Sequence, residues 1–127
     1  MDGKWSGLGG MSYRLEDLGR PAVFLLPEEK LGIVIGDKTI RQIIEDFLVS
    51  HFGGFTTYTS TSYGVWRDGE QVIAYDNCVL FRVSFEGKDR IPAFAAKLAE
   101  IALLIDEKCI YFEAGQYASL LFPTPPH

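Results

Sequence analysis

A chain of 127 residues, 47% of them hydrophobic, is long enough for one domain that buries roughly two-thirds of the surface its unfolded form exposes. Its net charge of -5 argues against nonspecific nucleic-acid binding, which needs a basic stripe to release counterions. No apolar run approaches the ~20 residues of a membrane span, and no basic segment leads into an apolar signal-like one, so the expected location is cytoplasmic, with no membrane partner.

In chain order, residues 1 to 20 hold five glycines without a sustained period and are expected to form a flexible N-terminal arm. They lack the Gly-Lys-Ser/Thr of a phosphate loop. Ala22 to Leu26 is a short apolar run between Pro21 and Pro27 and predicts a buried strand. Leu31 to Ile35 is a second apolar run, which either extends that strand or leads as a loop into the next element.

From Asp37 to Gly54 the spacing predicts a helix. Ile40, Ile43, Ile44, Phe47 and Leu48 fall on one side of a 3.6-residue period, and Arg41, Gln42, Glu45 and Asp46 largely on the other. Asp37 is placed to cap its start, and Gly53-Gly54 to end it in the left-handed conformation. Such a helix requires a sheet or a second helix over its apolar face.

Phe55 to Trp66 is rich in β-branched, aromatic and hydroxyl residues. With the Arg67-Asp68-Gly69-Glu70 turn and a return strand from Gln71 to Glu86, it predicts a long hairpin. Asp76-Asn77 suggests a bulge or bend, after which Val79, Phe81, Val83 and Phe85 alternate toward one face while Leu80, Arg82 and Ser84 take the other. A second helix is expected from Asp89 as cap, with Pro92 in the first turn and a stripe of Ile91, Phe94, Ala95, Leu98, Ile101, Ala102 and Ile105. Cys109 to Ala114 predicts the last strand, prolonged to about Phe122, and a proline-rich tail follows at 123–127.

The predicted order is strand, helix, strand, strand, helix, strand. That is the βαββαβ order of an α+β, ferredoxin-like domain over residues 21–122, with a four-stranded antiparallel sheet and two helices on one face. Cys78 and Cys109 have neither CxxC spacing nor nearby histidines, so no metal is implied and buried thiols are expected. In the usual strand order 4-1-3-2 the first strand separates them by about 10 Å, too far for a disulfide.

The segments HFGGFTTYTS, GVWRDGEQV and KCIYFEAG resemble those of a family of small, uncharacterised ferredoxin-like proteins of bacteria, archaea and mobile elements. In that family a helix passes through FGG-aromatic-Thr to a Trp before a polar hairpin turn. The resemblance spans roughly residues 21 to 115. It implies the fold and brings no established activity or cofactor.

Chemistry is sparse. His51 is the only histidine inside a predicted element, and it reads either as an acid, base or ligand or as a helix-end side chain beside free carbonyls. Tyr58, Tyr63 and Trp66 offer stacking surfaces, and Arg67 and Arg82 offer a grip for a phosphate or carboxylate. The same residues also suit an exposed strand and a solvated turn. Glu28-Glu29, Glu45-Asp46 and Asp106-Glu107 are adjacent pairs, which do not face one another and make no acid/base dyad.

These observations rank three functions. First is a noncatalytic binding or protein-interaction protein, oligomeric through the open sheet face or the hairpin, because a sheet with helices on one side leaves its other side to be covered. Second is a binding protein for a small anionic or nucleotide-like ligand, such as a mobile-element protein that inhibits or sequesters a factor of host defence. Third is a small enzyme of the dimeric ferredoxin-like barrel type, with His51 or a tyrosine as its reactive group. On this ranking an enzyme is not expected.

Overall fold

The computed structural model describes residues 7, 10, 12–59 and 63–125, leaving out the side chains of residues 63, 64, 66, 68, 73–76, 117 and 118. Its centre is an antiparallel sheet of β1 (Arg20–Pro27), β4 (Thr56–Thr59), β7 (Cys78–Phe85), β8 (Ile110–Ala114) and β9 (Tyr117–Leu121), in the order β4-β7-β1-β8-β9. Two helices, α1 (Ile40–Phe52) and α2 (Ile91–Leu104), complete the α+β architecture.

Strand alternation decides where the core lies. Phe24 pairs with both Phe81 and Phe112, and Ala22 with Val83 and Ala114; residues that are directly paired share a face. Apart from Ala114, which packs at the margin, these side chains form one buried cluster with Ile40, Ile44 and Leu48 of α1 and Phe94, Leu98, Ile101 and Ala102 of α2. At its centre the rings of Phe24 and Phe81 stack with centroids 4.9 Å apart, and Phe94 meets Phe24 edge-on at 5.7 Å. In the α1 stripe Ile43 and Phe47 are only partly buried, at the margin of the core.

Four expectations are corrected. The sheet has five strands, because the run after Cys109 does not continue straight: Gly115 takes φ +67 and turns the chain back, so that Tyr117–Leu121 pairs with β8. The helix begins later than expected and is capped by Thr39, whose hydroxyl accepts from the Gln42 N–H while the Gln42 side chain accepts from the Thr39 N–H. Asp37 instead sits in the turn between two short strands, β2 (Val34–Ile35) and β3 (Lys38–Thr39), which pair with each other. Likewise Asp89 lies in a 3-10 turn, Lys88–Arg90, and Arg90, without a side-chain cap, occupies the residue before α2.

The fourth correction concerns the long hairpin, which is divided. Thr59 pairs with Val79, whereas Tyr63 pairs with Asp76. Between these pairs the return arm bends at Asn77, φ 55, and the two ladders separate there. Beyond it, β5 (Tyr63–Asp68) and β6 (Gln71–Asp76) form a separate two-stranded ribbon. At the ribbon's tip the Gln71 side-chain oxygen accepts from Lys108 Nζ, just before β8.

The remaining joints are polar. After β1 the chain makes a 3-10 turn, Glu28–Gly32. Its Lys30 ammonium lies 2.6 Å from Glu107 and donates to the Ile105 carbonyl at 2.9 Å, so it closes the end of α2 onto the end of β1. β1 lies between the strand that carries Cys78 and the one that follows Cys109, and both thiols are buried without a disulfide between them. Among the described residues no helix is long and apolar enough to cross a membrane.

Candidate functional site

A concavity that carries charge opens where α1 ends and β4 begins. It is a cleft of about 530 Å³, within the range of small-ligand sites. Three stretches build it: His51 to Thr56 on one side, Arg82 to Glu86 of β7 on another, and Arg90 at the entry to α2, with Leu18 at the rim. Gly53, at φ +84, closes α1 and turns the chain toward β4. Leu18 is held there because Gly19, at φ +91, packs on the end of β7; a Cβ on it would stand 2.1 Å from the Phe85 carbonyl oxygen.

His51 Nδ1 lies 3.1 Å from the Phe47 carbonyl oxygen and 3.1 Å from the Ser50 hydroxyl, which can donate to it or accept from it. The ring is also held against Phe47, with centroids 4.1 Å apart. Arg90 donates to the His51 carbonyl and sits over the Phe52 ring at 5.5 Å, so its cation neutralises the negative end of α1 beside the cleft. Arg82 is exposed on β7 and makes no hydrogen bond or ion pair among the described residues.

Of the residues that the sequence singles out, the structure brings His51 and Arg82 together in this cleft. Tyr58 lies elsewhere, paired with Leu80 and half exposed on the sheet face away from the helices. Arg67 is exposed on the ribbon, and the side chains of Tyr63 and Trp66, also on β5, fall outside the described ones. The residues that sequence reading misses are Arg90, Glu86 and Leu18. Arg90 and Glu86 flank a loop, and nothing local marks them, since Arg90 meets His51 across 39 residues of chain.

No family model matches the chain, and no curated protein matches it. Two solved structures are similar to it. A phage SAM lyase in complex with S-methyl-5'-thioadenosine shows 15% identity over 89% of this chain and 96% of that one, with a TM-score of 0.49. A phage SAM lyase in its apo state shows 15% identity over 91% of this chain and 100% of that one, with a TM-score of 0.48. The ranking that put a noncatalytic protein first, and expected no enzyme, is corrected by this finding, because the similar structures are those of an enzyme. At this identity and overlap the likeness carries no substrate or residue role to this chain.

Proposed function

We propose that the cleft binds a small anionic, nucleotide-like molecule and that the chain is an enzyme acting on it, with His51 as proton acceptor, on a ferredoxin-like core extended by one strand. The observation that carries this reading is that Arg82, Arg90 and His51, distant in the chain, line one cleft. An unengaged guanidinium is suited to a phosphate or carboxylate, which it grips with two parallel hydrogen bonds. The Phe52 and Phe55 walls supply apolar surface for a base or other flat body.

The test is calorimetric titration of the purified protein with a panel of nucleotides, SAM and S-methyl-5'-thioadenosine, with products read by mass spectrometry. A ligand that binds the native chain is expected to bind Arg82→Gln at least ~10-fold more weakly, the loss of one charge-assisted pair. His51→Asn is expected to keep binding and lose turnover. Binding that Arg82→Gln leaves unchanged would move the site elsewhere, and turnover that survives His51→Asn would remove the base.

A further inference from the structure

The sheet face away from the helices carries a charge pattern that matches itself. Arg82 and Glu113 are each paired directly with Val23, one from either side. Thr56 lies beyond Arg82 in the same row. Because directly paired residues share a face, Arg82 and Glu113 leave the same side of the sheet, about 10 Å apart across β1. No ion pair joins them among the described residues. Glu113 accepts a hydrogen bond from Tyr111, which steadies the carboxylate.

The neighbouring row is apolar. Tyr58 pairs with Leu80 and Leu80 with Leu25, while Tyr111 pairs with Leu120 on the far side. Continuing the β1–β8 register by one residue sets Tyr111 beside Leu25. Leu25, Leu80, Tyr111 and Leu120 are half-buried, and Tyr58 is 52% exposed. Such a row is unfinished as a core and more apolar than a solvent face requires.

We propose that this face is an interface between two copies of the chain, related by a twofold axis that runs along β1 between the stacked sheets. That rotation exchanges the two sides of β1. It lays Arg82 of each copy over Glu113 of the other, twice, and sets Leu80 over Tyr111, Tyr58 over Leu120, and Leu25 over Leu25. An isologous contact needs this kind of self-matching surface. A cation and an anion placed symmetrically about one strand supply it, and the opposed charges fix register and exclude the antiparallel stacking that would set like over like. The proposal shares Arg82 with the cleft reading but stands apart from it through Glu113, which does not line the cleft.

Charge reversal tests it in the full-length chain by sedimentation equilibrium over a concentration series, with circular dichroism to verify folding. The native chain is expected to dimerise. Each of R82E and E113R sets like charges together at two places and is expected to weaken dimerisation by about 100-fold or more, whereas R82E/E113R together restores the opposed pairs and the dimer. A native chain that stays monomeric throughout, or a dimer that both single reversals leave intact, would overturn the proposal. So would a double variant no stronger than the singles. E113R keeps Arg82 and is expected to retain cleft-ligand binding while losing the dimer, which keeps a failed interface distinct from a failed cleft.

Discussion

The two faces of the same five strands are built to different rules, although their residues alternate one by one along the chain. Toward the helices stand Phe24, Phe81, Val83 and Phe112, all buried. Away from them stand Val23, which is buried, and Leu25, Leu80, Arg82, Tyr111 and Glu113, which are not. The first face is closed by side chains from this chain alone. The second combines a partial apolar row with two charges of opposite sign. A face whose stability needs are already met by its reverse side is open to carry recognition, and Arg82 lies where that face meets the cleft.

The sharpest way to break this contrast is to compare neighbours. Phe24→Ala removes a ring stacked between layers and is expected to cost ~3–5 kcal/mol. Leu25→Ala, one residue on, is expected to cost about 1 kcal/mol in dilute protein, because its side chain is already half in water. Urea unfolding of both variants reads the difference; equal losses would mean that the second face is also core.

Next in size is the joint between the helical layer and β1. Lys30→Met leaves Glu107 and the Ile105 carbonyl without their cation and is expected to lower stability by roughly 1–3 kcal/mol. The exposed Lys38–Asp46 pair, at 2.9 Å, serves as the control: Lys38→Met is expected to leave the urea midpoint unchanged, because solvent screens such a pair. At the start of α1, Thr39→Ala removes half of the capping box and is expected to cost ~1 kcal/mol in the same assay.

The smallest effect belongs to the second face and appears only at alkaline pH. Burial, then the hydrogen bond to Glu113 and the charge of that carboxylate, raise the Tyr111 phenol above its ordinary value of 10.0. A raised pKa in the fold means that the neutral phenol is the favoured form there. Its contribution to stability is therefore complete below pH 10 and is lost as pH climbs through the folded value. Titration of phenolate absorbance in the native chain and in Tyr111→Phe should differ by one late step, above the ordinary value, that the substitution removes. If the late step survives in Tyr111→Phe, Tyr111 is not the shifted phenol.

Much of the fold was legible residue by residue. The stripe from Ile40 to Leu48, the stripe from Ile91 to Ile105 and the alternation from Val79 to Phe85 each state a period and a buried side, and α1, α2 and β7 follow them. Helix starts were less legible, because Asp37 and Asp89 are as good caps by composition as Thr39 is, and the choice fell to the β2–β3 pairing and the 3-10 turn. Of the site, His51 and Arg82 could be singled out by residue type. Their meeting with Glu86 and Arg90 could not, since no local pattern records which loops the sheet brings side by side.

What the sequence by itself determined is therefore the set of elements and the side each one buries, because amphipathic period is a local property and burial of apolar surface dominates folding. What only the tertiary structure decided is how those elements close on one another. The return of β9 at Gly115, the division of the hairpin at Asn77 and the cleft beneath Gly53-Gly54 all depend on strand register and on contacts between distant residues. Such contacts are selected by packing of the whole chain, and no single segment contains the information that chooses them.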